Sequence, residues 1–255
     1  MQNVYDSLQK NAADLVVFGL VEEYFDENGN ILKTFPISYA TDLYLDNQNA
    51  VRKEVIELER KTLLGYAWNK FYRTSMIRDF SLSFQKITLI EDILFNLDYI
   101  AYVEKLNVLK NQSYHYMKRI DGSLTNKFVK DYYELHRRRV YALLKLYKTW
   151  DLCTPQVCSV LADIYVRYVF SALQRNCDKR ASMKHRDRVQ WLRNLYQDEL
   201  YFALAPYFRG NNPIVQILSV LLAHKNITVC LLLGRMIFFV KNFLPGVFSR
   251  AKQNR

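Results

Sequence analysis

Hydrophobic and polar positions alternate in two different rhythms along this chain, and the change divides it roughly in half. Residues 14–25 (DLVVFGLVEEYF) and Ile31–Ile37 are runs of β-branched and aromatic residues. Between them stands Asp26-Glu27-Asn28-Gly29-Asn30. An Asn-Gly pair between two such runs predicts a β-hairpin, because both residues tolerate positive φ. Residues 1–12 and 48–64 read as helical. Residues 67–73 (AWNKFYR) read as a short strand, and 74–77 as a brief helical turn. Residues 88–103 form a helix pattern that opens on Thr88-Leu89-Ile90-Glu91, the spacing of a capping box in which Thr88 caps and Glu91 folds back. Residues 106–110 and 112–118 look like two short strands. From about residue 125 the period is helical to the end, with helices expected near 125–148, 155–176, 183–205, 213–223 and 226–243. Pro155, Pro213 and Pro245 mark the breaks. The expected class is α/β, mostly α: a few short strands over residues 1–124, then a helical bundle over 125–255.

Composition sharpens this picture in two ways. Gly accounts for only 7 of 255 residues, and the chain contains neither G-x-G-x-x-G nor a P-loop, so it has few places where backbone can cradle a phosphate. Charge is also uneven. Residues 1–110 hold 12 Lys and Arg against 16 Asp and Glu, whereas residues 111–255 hold 24 against 9. A basic second half suits an anionic partner, a membrane surface or nucleic acid, or it is simply a solvated helical surface. Cys153, Cys158, Cys177 and Cys230 follow no zinc or redox spacing and read as reduced core residues. Met1 to Asp14 lacks the pattern of a signal peptide, and no run of 18 apolar residues occurs. The His185-Arg186-Asp187 triplet has none of the context of a kinase.

The chemistry-bearing motifs lie in the first half. Gly65-Tyr66-Ala67-Trp68-Asn69-Lys70-Phe71-Tyr72-Arg73 is followed by Ile90-Glu91-Asp92-Ile93-Leu94-Phe95-Asn96. Further on come Tyr114-His115-Tyr116-Met117-Lys118-Arg119 and Ser123-Leu124-Thr125. In order and spacing these strings resemble glycosyltransferase family 2, with its W-N-K-L-Y-R, E-D-L-L-F-N and Y-x-Y-x-x-R…S-L-T patterns. Residues 13–19 (ADLVVFG) fit the segment that precedes them.

The resemblance covers the acceptor-side half of a GT-A fold and implies inverting transfer from a nucleotide-sugar donor to a sugar or lipid-linked acceptor in bacterial surface-polysaccharide assembly. It implies that Asp92 is the base that takes the acceptor's proton, with Glu91 beside it among the acceptor-binding residues. Trp68 then fits either an acceptor wall, where its indole stacks on a sugar ring, or a buried strand. Asn69 and Lys70 fit either acceptor contacts or the floor beneath them. Lys118, Arg119 and Ser123 fall in the loop that would close over the donor diphosphate, where cations offset developing charge. Arg73 suits a surface ion pair with a carboxylate.

The family's D-x-D motif, which holds a divalent metal (Mg or Mn) with the diphosphate, does not occur here. The resemblance therefore implies that the donor-gripping half lies outside residues 1–255 and that this chain alone is inactive. The apolar helix near 226–244 is punctuated by Arg235 and Lys241, and residues 235–255 carry no acid. That pattern suits either a helix lying on an anionic membrane or a terminal helix packed on its neighbours. On this reading the protein is cytoplasmic and peripheral to the inner face of the cell membrane, and nucleic acid is the less favoured partner. The alternative to catalysis is a basic helical module that binds a membrane surface or nucleic acid.

Overall fold

The computed structural model describes residues 1–26, 28–119 and 128–243. Two compact units emerge. Unit 1 comprises Met1–Lys127 with Leu146–Leu152, and unit 2 comprises Phe128–Lys145 with Cys153–Arg255. The chain is a mostly helical α/β protein with one mixed sheet, as its periodicity predicts.

Unit 1 is built around β1 (Leu15–Phe25) and β5 (Leu106–Arg119), which run parallel along their whole length. β2 (Ile31–Ile37) and β4 (Lys70–Tyr72) share the other edge of β1, both antiparallel to it. β3 (Leu43–Leu45) pairs antiparallel with β5. The sheet order is β2-β1-β5-β3, with β4 off that path. Leu15 to Leu20 are buried without alternation, as expected for a strand covered on both faces. Gly19 stands where β1 changes partner from β4 to β2. A Cβ there would lie 2.6 Å from Ser38 Cβ and 2.8 Å from Ile37 O, so the close approach requires glycine.

Helices α1 (Gln2–Lys10), α2 (Gln48–Arg60), α3 (Thr74–Asp79) and α4 (Glu91–Ile100) complete the unit. Asn47 Oδ1 caps α2 by accepting from Ala50 N–H at 2.9 Å. Buried Asn107 ties α1 to β5, donating to Ser7 O and Asn11 O and accepting from Asn11 Nδ2.

The expected hairpin forms, but its turn works differently. Gly29 alone among the described turn residues has positive φ. The Asp26 carboxylate organises the loop by accepting from Asn28 N–H and Asn30 N–H. The two strands expected over 106–118 are one strand with an irregular middle: Phe18 faces Leu109 while Gly19 faces Gln112. The extra residues around Asn111 bulge out, which is why the hydrophobic pattern breaks there. The strand expected over 67–73 is ordered as β only at Lys70–Tyr72.

Unit 2 contains most of α5 (Tyr132–Thr149), α6 (Pro155–Arg175), α7 (His185–Leu195), α8 (Glu199–Leu204), α9 (Pro213–Ala223) and α10 (Ile227–Phe243). Its starts follow the rules for helix ends. Thr154 and Asn212 cap α6 and α9 from positions ahead of Pro155 and Pro213. Asp198 caps α8 and divides the single helix expected over 183–205. By length and composition α6 could cross a membrane, yet it is the mostly buried central helix of this unit.

Candidate active site

The sequence motifs of the first half meet in unit 1, around the start of α4. The capping box expected at Thr88–Glu91 is not formed. The helix starts at Glu91, and the residue ahead of it, Ile90, is left-handed with φ 67° and offers no side-chain cap. A β-branched residue in that region is strained by about 1–3 kcal/mol. The strain sits at the turn that sets the direction of Glu91 and Asp92. Glu91 is therefore not held by a cap; it stands half-buried in the first turn.

Asp92 is half-buried as well. Its Oδ2 accepts from the Ala67 N–H at 3.1 Å, so the carboxylate is fixed to the residue immediately before Trp68. Among the described residues no donor reaches Oδ1. The arrangement leaves one oxygen anchored and one available.

The two motifs are further locked together by their remaining letters. Tyr72 donates its hydroxyl to Asn96 Oδ1 at 2.6 Å, and Asn96 Nδ2 donates to Leu64 O at 2.7 Å and Tyr66 O at 3.1 Å. Tyr99 donates to Asp14 O at 2.7 Å and accepts from Arg73 N–H at 2.9 Å. Arg73 Nη1 pairs with Asp14 Oδ1 at 2.9 Å, the carboxylate partner its position suggested. Burial, with Asp92 nearby, pushes the Tyr72 hydroxyl pKa well up, and burial pushes that of Tyr99 up to about 12. Both remain neutral donors.

Asn69 and Lys70 turn inward. Asn69 is fully buried and donates to Phe18 O and Leu63 O. Lys70 Nζ donates to Leu63 O at 2.7 Å, Tyr66 O at 2.5 Å and Asn69 Oδ1 at 2.8 Å. Both side chains are taken up by main-chain carbonyls and by each other. Burial lowers the Lys70 pKa to about 7, opposed by the charges of Asp92 and Glu59.

Trp68 is half-buried within a pile of tyrosines. Its ring stacks on Tyr114 at 4.2 Å, Tyr66 at 4.6 Å and Tyr116 at 5.4 Å between centroids. Tyr114, at 36% exposure, presents the open part of the pile. Sequence reasoning singled out Trp68 but assigned no role to these tyrosines. The available signal was Tyr114 and Tyr116 at strand period two, both on the face that meets the Trp68 segment.

Lys118 lies apart from Asp92's bonds. Its ammonium pairs with Glu22 Oε1 at 2.6 Å on the neighbouring strand and donates to Tyr24 OH at 3.1 Å. The main chain of Arg119 ends β5 opposite Phe25. The Arg119 side chain and all of Ser123 lie outside the described residues, so the expected donor loop is described only at Lys118. His115 contacts Glu23 at 2.6 Å. Among the described residues no group of three or more His, Cys, Asp or Glu is gathered to hold a metal. The four cysteines are free thiols.

No protein-family model matches the chain, and no curated protein matches it. Among solved structures it is similar to S. aureus TarS residues 1–349 in complex with UDP-GlcNAc. The identity is 17% and the TM-score 0.47, over 94% of this chain and 62% of that one. The chain thus spans under two thirds of that structure's length.

Proposed function

We propose that residues 1–124 are the acceptor-side half of a GT-A-like, family 2-like glycosyltransferase and that Asp92 is its general base. The observation that carries this is the Asp92 carboxylate. One oxygen is held by the Ala67 N–H beside Trp68 and the other has no donor among the described residues. A base must reach the attacking hydroxyl by one hydrogen bond while being kept from rotating. The Ala67 bond supplies the second need, and Oδ1 is the atom that would supply the first. The Trp68–Tyr114 pile offers an aromatic platform on which a sugar ring can stack, and Asn69 and Lys70 brace it from below.

The reaction is inverting transfer. The acceptor hydroxyl gives its proton to Asp92 Oδ1 as its oxygen bonds to the anomeric carbon. The bond from that carbon to the diphosphate breaks, and its electron pair leaves with the nucleoside diphosphate. The donor diphosphate and its divalent metal (Mg or Mn) would be held mainly by a donor-binding portion carrying the D-x-D motif that residues 1–255 lack. The acceptor is a sugar or lipid-linked glycan of bacterial surface-polysaccharide assembly.

Two measurements test the reading. Titrated with UDP-sugars, the 255-residue chain should give no saturable heat; tight binding would remove the half-enzyme assignment. In a polypeptide that also carries the donor-binding half, Asp92→Asn should lower transfer by about 10²–10⁴-fold with an unchanged circular dichroism spectrum. Retained turnover in that variant would eliminate Asp92 as base.

A further inference from the structure

The last two helices of unit 2 are more apolar than their packing requires. α9 (PIVQILSVLLA) and α10 (ITVCLLLGRMIFFVKNF) have few polar positions on any face, a composition suited to helices that are covered all round. Each covers one side only. α9 turns Val215, Ser219 and Leu222 inward, and α10 turns Cys230 and Gly234 inward. A Cβ on Gly234 would lie 2.9 Å from Leu173 Cβ on α6, so that side of α10 is in close contact.

The opposite sides are open. Leu232, Met236, Phe239 and Phe243 are each more than half exposed, and they recur at helical spacing along roughly 16 Å of α10. Ile217 and Val220 on α9 are similarly open. Rows of large apolar side chains in water mark a surface that meets a partner.

Charge identifies the partner. Residues 200–255 contain seven Lys and Arg and no Asp or Glu. Beside the α10 row lies a depression of about 140 Å³ lined by His185, Arg188, Thr228, Leu231, Leu232 and Arg235. Neither Arg188 nor Arg235 meets a carboxylate among the described residues. The adjacent Asp187 is occupied with the Lys184 N–H at 2.8 Å, and Asp178 with Arg180 at 2.7 Å. An apolar row bordered by cations that meet no carboxylate among the described residues matches an anionic bilayer interface, where acyl chains take the apolar row and lipid phosphates take the guanidinium groups.

We propose that the α9–α10 face docks on an anionic lipid bilayer, with Arg188 and Arg235 receiving lipid phosphates in the depression beside Leu232. The proposal is independent of glycosyl transfer and is tested without it. The 255-residue chain is sedimented with vesicles of phosphatidylcholine alone or doped with phosphatidylglycerol, at about 0.1 M and about 1 M salt, where the Debye length falls from roughly 10 to 3 Å.

Binding should require the anionic lipid and weaken in high salt. Met236→Glu with Phe239→Glu should lower partitioning by about tenfold or more. Arg188→Gln and Arg235→Gln should each lower it by about fivefold and flatten the salt dependence. Unfolding midpoints verify folding, and the corresponding Gln variants at 236 and 239 replace any Glu variant that fails. Absence of binding, equal binding to neutral vesicles, or variants that bind like the parent would overturn the proposal. So would a concentration-dependent dimer that Met236→Glu dissociates, since a second copy would then cover the face.

Discussion

Unit 1 and unit 2 handle charge in opposite ways. In unit 1 the buried side chains around the Trp68 segment find partners in the main chain: Asn96, Asn107, Asn69 and Lys70 all bond to main-chain carbonyls. Asp14 accepts from two main-chain N–H groups and pairs with Arg73. Beside that network the second oxygen of Asp92 receives no donor among the described residues. Unit 2 instead gathers cations and leaves an apolar face open. The difference separates two kinds of candidate site. The candidate catalytic group is a carboxylate oxygen left open beside a bonded network, and the candidate docking surface is apolar area rimmed by cations that meet no carboxylate among the described residues.

Asn96 is the residue whose loss should disturb unit 1 most. Its side chain is buried and joins the Tyr72 hydroxyl to Leu64 O and Tyr66 O. Asn96→Ala should orphan these groups and destabilise the protein by about 3 kcal/mol, read by urea denaturation. A loss under about 1 kcal/mol would mean that the network does not brace the segment bearing Trp68. Asn96 is not placed in contact with substrate, so any loss of transfer in this variant should follow the loss of stability.

Acid and alkali should separate the units next. In unit 2, His136 is buried against Tyr168, their rings stacked at 3.9 Å, and burial with Arg139 and Arg175 lowers its pKa to about 3. The unfolded chain binds that proton near 6.5, so between about 6.5 and 3 the unfolded state holds more protons, and stability falls as pH falls. In unit 1 the Lys70 pKa is lowered to about 7 from 10.5. Between those values the unfolded state again holds the extra proton, so stability rises as pH climbs from about 7 to 10.5. His136→Gln should flatten the acid limb alone, and Lys70→Met the alkaline limb alone. Denaturation midpoints across pH measure both, and a slope unaffected by its own variant would remove that assignment.

These residues also mark where sequence reading stops. Helices in unit 2 were legible because Thr154-Pro155 and Asn212-Pro213 announce starts by local chemistry, and the apolar period follows. The hairpin was legible for the same reason. The parallel pairing of β1 with β5 was not, since it joins residues about ninety positions apart, and β3 is too short to leave a pattern. Thr88-x-x-Glu91 had the letters of a cap, but Ile90 turned left-handed under tertiary constraint and cancelled it. Lys70 reads as a surface residue by type, because lysine is seldom buried. Only the carbonyls of Leu63 and Tyr66 explain its inward turn. The tyrosines around Trp68 stood in the motif strings without a role, because their stacking depends on the register of β5.

The smallest expected effect tests the open face of unit 2 in the absence of lipid. If Leu232 and Phe239 are exposed to water in solution, Leu232→Gln should change stability by no more than about 0.5 kcal/mol, and Phe239→Gln by about 1 kcal/mol at most, for the ring stack it forfeits is on Phe243, itself exposed. The contrast is Phe170, 2% exposed on α6, where Phe170→Ala should cost about 3–5 kcal/mol. The ratio of these losses, measured in the same denaturant series, tells an open face from a covered one. A cost of 2 kcal/mol or more at Phe239, by the area such a side chain buries, would mean that the row is already packed against protein in solution. Unit 2 would then resemble unit 1, its apolar surface satisfied from within and unavailable to a bilayer.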